Sequence, residues 1–321
     1  MTTEAAPQNQ EMFRRRKPRI GDLSLRALAT VAGALVVLIV GGITYEVAVG
    51  AWPALQQFGI TFITGTEWNA VTDVFGARYL IWGTLFTSVF SLIISVPVAI
   101  AIGLFLSELA PRRLRTPIGT MVELLAAIPS VVLGLWGIIV LGPFLAQHIE
   151  PWLSDHLGFI PLFSGYPSNV GLLPACLILT IMVVPIVASI SRELFLTVPN
   201  DLKQGSLALG STRWEMVRGV MLPQVSGGLV AAVMLGFGRA LGEAIAVVQV
   251  IGGTPSFKGS LFSQAQTMAG QLASQFQGSA TSLQKASLFG LALILLIFSL
   301  MTNLTAQWIV RRMQRKTQGA R

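Results

Sequence analysis

Six blocks of mostly apolar residues, at 27–49, 79–106, 122–147, 170–190, 225–252 and 286–309, are set apart by polar or Gly/Pro-rich stretches. A helix needs about 20 such residues to cross a bilayer, and each block is long enough. With no water in the hydrocarbon core, each segment must satisfy its own backbone N–H and C=O groups, so the pattern predicts helices. Pro97, Pro129, Pro143 and Pro185 fall inside blocks. In a bundle they are expected to kink the helix while neighbours re-satisfy the freed carbonyls. The expectation is an all-α membrane protein, a bundle of six transmembrane helices over 27–309, between basic tails at 1–26 and 310–321.

Composition strengthens this. Hydrophobic residues make up 53% of the 321 and charged residues 11%, against about 25% charged in a soluble domain. A water-soluble enzyme has no use for so much apolar surface, so the excess faces lipid. Ala27 to Tyr45 run without a charge, longer than the ~7–15-residue apolar region of a signal peptide, so the first helix is expected to be retained. The single cysteine, Cys176, and the two histidines, His148 and His156, offer neither a disulfide framework nor a metal site.

The charges predict sidedness. Eighteen Lys and Arg lie in the tail through Arg26, in the 107–121 and 191–224 loops and in the C-terminal tail. The other three loops hold only Arg78, Lys258 and Lys285. Loops rich in Lys and Arg stay in the cytoplasm, so both termini are expected inside, as an even number of spans requires. The formal charge of +8 is then topological, with anionic lipid headgroups rather than nucleic acid as its partners. Trp52, Trp68, Trp82, Trp152 and Trp308, near block ends, suit the headgroup zone.

The 191–224 loop has a pattern of its own. Pro199-Asn200-Asp201 reads as a helix start and Gly210 as its stop. A second short amphipathic helix is expected from Thr212 to Met221, before Pro223, giving a helix-turn-helix pair across the membrane face. These residues resemble the EAA motif of ABC importer permeases. The triplet slot holds Gln204-Gly205-Ser206, Gly210 follows, and Val220-Met221-Leu222-Pro223 closes the motif at the matching spacing. The triplet departs from Glu-Ala-Ala in residue type.

Three further stretches extend the resemblance over nearly the whole chain. They are Glu123 to Gly137, Leu235 to Glu243, and the first loop with Trp52-Pro53 and Glu67-Trp68, followed by Gly83-Thr84-Leu85 and Ser107 to Pro111. Together they resemble the permeases of phosphate ABC transporters, closer to the PstC branch than to its sister branch PstA. The resemblance implies the six-helix fold of type I ABC importers. It implies a PstA-like partner permease, two PstB-like ATPase subunits that use ATP, and a PstS-like periplasmic phosphate-binding protein. It makes 201–223 the loop that docks the ATPase, through Gln204, Gly205, Ser206, Gly210, Val220, Leu222 and Pro223. No cofactor is expected on this chain.

Arg239 and Glu243 are the charges deep inside a block, four apart and so on one helix face. Such residues usually face a bundle interior or a watery path. Arg239 either attracts phosphate, with Glu243 orienting it or competing for it, or the two form a structural ion pair. Gly236, Gly238 and Gly242 are read as close helix packing, Glu123 as a contact for basic loop residues, and Pro129-Ser130 as a bend beside the path. The chain holds no Gly-x-x-x-x-Gly-Lys-Ser/Thr run, nucleophile elbow or metal-ligand cluster, so it is expected to be non-catalytic. Two other readings stay open: a permease for sulfate or molybdate, and a secondary transporter or channel. Carriers of that last kind often show repeats and paired broken helices, which the sequence does not display.

Overall fold

The computed structural model describes residues 20–254 and 259–318; the basic tail through Arg19 and Lys258 lie outside the described residues. The helices that matter below are α1 (Ile20–Phe58), α2 (Arg78–Leu104), α3 (Arg112–Ala127), α4 (Ser130–Trp136), α5 (Leu172–Leu196), α6 (Asn200–Ala208), α7 (Arg213–Met216), α8 (Leu222–Gly242), α9 (Ile245–Val250), α10 (Met268–Gln275) and α11 (Ser282–Gln318). Among the described residues, six runs are long and apolar enough to cross a membrane: Leu23–Phe58, Arg78–Leu109, Ser130–Leu157, Leu172–Leu196, Arg213–Gly242 and Ser282–Met313.

The chain divides after Glu46. Before that point the described residues are the first part of α1, with apolar side chains such as Leu35, Val37 and Leu38 exposed. From Val47 on, the second unit is built around α5, whose apolar window is 67% buried against 22–28% for the other spans of that unit. α2 packs along α5 by presenting small buried residues, among them Thr84, Thr87, Ser88, Ser91 and Ala99. Between helices in lipid there is little hydrophobic drive, and small residues that let backbones touch supply the packing instead. Thr84 and Thr87 donate back to the Leu80 and Gly83 carbonyls, which satisfies hydroxyls that have no water. α8 packs on α5 and α2, and α11 on α8. Cys176 is fully buried in this core.

At one end of the bundle, β1 (Trp68–Asn69) and β2 (Val74–Phe75) form a small antiparallel hairpin, pairing Trp68 with Phe75 and Asn69 with Val74. The Trp68 ring meets Phe75 edge-on at 5.0 Å, and its Nε1 donates to Gln275 Oε1 at 3.0 Å. Nearby, a Cβ on Gly83 would collide with the backbone carbonyl oxygen of Gln266, an atom that cannot rotate aside. Gly83→Ala is therefore expected to destabilise by about 1–3 kcal/mol through overpacking. Gly219→Ala, with open space around it, should be near neutral. Thermal unfolding of the purified chain checks both, and equal midpoints would disprove the clash.

Helix continuity departs from the sequence pattern in several places. The block 122–147 is not one helix. α3 is amphipathic, carries Arg112, Arg113, Arg115 and Glu123, and ends at Ala127. Ile128 and Pro129 are extended (ψ 126° and 136°), and a new helix starts at Ser130. Proline disfavours helical backbone at the residue before it, so Pro129 breaks the helix rather than kinking it. The apolar run from Ser130 then passes through π-helical turns at 137–141 and 145–149 to Leu157. Block 225–252 also breaks: α8 ends at Gly242, Glu243 is extended (ψ 120°), and α9 begins at Ile245. By contrast, the helix expected to stop before Pro223 continues. α7 runs through a π-helical turn, Val217–Met221, straight into α8. Proline cannot donate, and its ring crowds the carbonyl four residues back; the wider turn just before it accommodates both. Trp52 and Pro53 lie within α1 rather than in a loop.

Candidate functional site

Arg239 stands in the last turn of α8 and Glu243 one residue beyond it. Their side chains meet at 3.3 Å, Arg239 Nη2 to Glu243 Oε2. They are unequally placed: the carboxylate is 7% exposed and the guanidinium 49%. The other carboxylate oxygen accepts the Ala246 N–H at 3.4 Å, one of the donors left without a partner where α9 begins. Glu243 thus serves both halves of a broken helix, and its extended backbone makes that possible. The arginine is held at one terminal nitrogen while about half of its side chain stays exposed. Gly236 packs against Val183 and Val187, each 2.9 Å from where a Cβ would stand. Gly238 and Gly242 have nothing within 4 Å of that position among the described residues. Of the three glycines, therefore, only Gly236 is used for packing inside the chain; the other two leave bare backbone beside the arginine.

The second break lies alongside. α4, which starts after Pro129, packs on α9, which starts after Glu243. A Cβ on Gly134 would stand 2.8 Å from Ala246 Cα, so the two half-helices touch backbone to backbone. Ser130 and Pro129 form the sharp bend itself. Both breaks fall at the ends of membrane-length runs, one just before Ser130 and the other just after Gly242.

The 191–224 loop is built from strong local signals. α6 begins at Asn200 with Pro199 at the cap position, and no side chain caps it, neither Asn200 nor Asp201. Its end is a Schellman motif: Ser211 N donates to Ser206 O at 3.3 Å, Gly210 N to Leu207 O at 3.0 Å, and Gly210 takes φ +89°. Thr212 then opens α7 with a capping box, its hydroxyl accepting from Glu215 N while Glu215 Oε2 accepts from Thr212 N at 2.8 Å. Gln204, Gly205 and Gly210 are exposed, Ser206 and Val220 half-buried, Leu222 packs on a buried cluster with Met216 and Met221, and Pro223 is exposed. Leu202, Leu207, Leu209 and Trp214 expose apolar side chains on the same loop, Leu209 at 89%. Gly205 and Gly210 have no neighbour within 4 Å of a Cβ position among the described residues, so packing does not require their small size, although the φ of +89° at Gly210 favours glycine.

The loop and the Arg239 pair lie at opposite ends of α8, about 25 Å apart at ~1.5 Å per residue from Leu222 to Arg239. Glu123 on α3 approaches Arg192 at 4.0 Å, with its side chain 62% exposed, a contact of little energetic weight. One pairing escaped the sequence: Lys203 of α6 bonds Glu108 at 2.6 Å. A lysine in a charged amphipathic helix normally reads as solvated, and only the tertiary fold brings the two residues, 95 positions apart, together.

Residues 95–315 match the family described as binding-protein-dependent transport system inner membrane component. The phosphate transport system permease protein PstC of Mesorhizobium japonicum is 40% identical, with 94% of each chain covered. That of Haemophilus influenzae is 41% identical over 89% of this chain and 91% of its own. Among solved structures, a bacterial alginate ABC transporter superposes with TM-score 0.59 at 17% identity, covering 91% of this chain and 98% of that one. The MetNI methionine ABC transporter gives TM-score 0.54 at 20% identity, covering 74% and 95%; at such identity the likeness is one of fold. Matched by that model over most of its length and by these relatives over nearly all of it, the chain belongs to the PstC family of phosphate transport system permeases.

Proposed function

We propose that this chain is the multi-pass inner-membrane permease of an ATP-driven importer of inorganic phosphate, and that the anion passes Arg239. The observation that carries the substrate path is a half-exposed guanidinium held by a buried carboxylate at a helix break. Guanidinium has five N–H donors in a planar fork suited to an oxyanion, and the contact with Glu243 Oε2 engages one terminal nitrogen. The remaining donors match phosphate oxygens. Glu243 orients the arginine and competes with the anion for it, which keeps the site from trapping its cargo. Bare backbone at Gly238 and Gly242 leaves room for the anion to approach.

Work on the path comes from elsewhere. A PstA-like sister permease completes the membrane unit, and two PstB-like ATPase subunits dock on the 201–223 loops, where Leu209 and Trp214 stand exposed. Closure of the ATPases on ATP moves this loop and opens the path outward, where a PstS-like binding protein delivers phosphate; hydrolysis resets it. ATP is consumed by the partner, and this chain holds no cofactor. The eighteen-to-three bias of basic residues supports cytoplasmic termini and a cytoplasmic 201–223 loop.

The test is uptake of labelled phosphate into proteoliposomes holding this chain with the sister permease and ATPase, binding protein outside, sulfate as competitor. ATP-dependent, sulfate-insensitive uptake that vanishes without this chain is the expected result. Uptake without ATP would mark a secondary carrier or channel. ATP-driven uptake of sulfate instead would overturn the substrate and keep the coupling.

A further inference from the structure

Lys203 is the buried residue of α6, 8% exposed, while Asp201, Leu202, Gln204 and Gly205 around it are exposed. Lysine is strongly hydrated and is rarely buried unless paired. Its ammonium donates to Glu108 Oε1 at 2.6 Å and to the Phe195 carbonyl at 3.3 Å. Glu108 stands on the π-helical turn, Phe105–Leu109, that ends the run of α2, and Phe195 lies in the last turn of α5. One ammonium therefore ties the loop helix to the ends of two core helices.

The tie crosses a gap in the packing. A cavity of about 410 Å³ separates the loop from the end of α2. Leu104 and Leu109 line one side, Leu207 and Trp214 the other, and Glu108 and Lys203 both stand on its wall. The loop is not packed solid against α2 here; an ion pair reaches across. Apolar contacts slide past one another at little cost, whereas parting this ion pair strands the buried Lys203 ammonium and the part-buried Glu108 carboxylate. The π turn beneath Glu108 is a place where a helix end can yield.

We propose that Lys203 and Glu108 are positioning residues of the transport cycle, an ion pair that passes displacement of the 201–223 loop to the end of α2 and, through the Phe195 carbonyl, to α5. The proposal rests on the reading that the ATPase docks on this loop. Its test uses the full complex of this chain, sister permease, ATPase and binding protein in proteoliposomes, with three readouts: ATPase retained on purification, basal ATP hydrolysis, and phosphate taken up per ATP hydrolysed. In Glu108→Gln and Lys203→Met the ATPase should stay docked and hydrolysing while uptake per ATP falls about tenfold, the scale of residues in a coupling network. The reversed pair, Glu108→Lys with Lys203→Glu, should regain most of it. The apolar pair, Glu108→Leu with Lys203→Met, removes both charges without stranding either, and should remain docked and uncoupled. Normal uptake per ATP in the single variants or in the apolar pair would overturn the proposal. So would loss of docking in every variant, because the pair would then only fold the loop. The docking reading fails on a separate observation: Gly210→Asp that still binds and couples the ATPase.

Discussion

Arg239→Leu is expected to lower phosphate uptake by about 10- to 100-fold, the scale of losing a charge-assisted hydrogen-bond set, while the complex still assembles. Leucine fits the end of an apolar helix, and half of the arginine's surface packs on nothing, so little structure depends on it. The liability is Glu243, 7% exposed and left without its cation. An unpaired buried carboxylate is strongly destabilising, by about 3–5 kcal/mol when both partners are desolvated. Here the lost partner was half in water, so the cost should be smaller. The double variant Arg239→Leu with Glu243→Gln removes the stranded charge and should assemble at least as well as the single one, with uptake still lost. Uptake unchanged in both would leave the pair a structural bond and nothing more. Co-purification of the sister permease and ATPase reports assembly in the same samples.

Gly210→Asp should abolish docking of the ATPase with the rest of the chain intact. Two effects combine. At φ +89° any L side chain is strained, at about 1–3 kcal/mol, which loosens the Schellman motif. No described residue lies within 4 Å of the new Cβ, so the carboxylate projects from the chain beside the exposed Leu209. If the ATPase seats there, the interface must bury an unpaired charge, and docking should weaken at least about a hundredfold. Gly210→Ala carries the strain without the charge and should fall between. A Gly210→Asp chain that co-purifies with its ATPase and couples normally would remove this loop as the docking surface.

The six apolar blocks were legible because each is long and unbroken in composition, and block length is what a bilayer demands. The stop at Gly210 and the four-residue spacing of Arg239 and Glu243 were equally readable, being local. The helix breaks at Ile128–Pro129 and Glu243 were not, since hydropathy runs through both and proline in a membrane block usually reads as a kink. The missing cue at Glu243 is conformational: a carboxylate that turns back to cap α9 only once the backbone is extended. The Thr212–Glu215 box carried a sequence signal, threonine followed three residues on by glutamate, that the motif resemblance overshadowed. Lys203 with Glu108 had no sequence signal, because the pair is made by folding α6 under the end of α2.

The π-helical turn at Val217–Met221 has a consequence in angular terms. Such a turn holds one residue more than the α-helical turn it replaces, and each α-helical residue advances the direction of its side chains by about 100°. Because α7 and α8 form one run through this turn, the azimuth of Trp214 relative to Arg239 is fixed by residue count rather than by contacts between them. Removing Gly219 would take that extra residue out and swing the loop through about 100° around the helix axis, with the side chains of the loop and those around Arg239 unchanged. The relation between the 201–223 loop and the Arg239 pair is thus written as a phase.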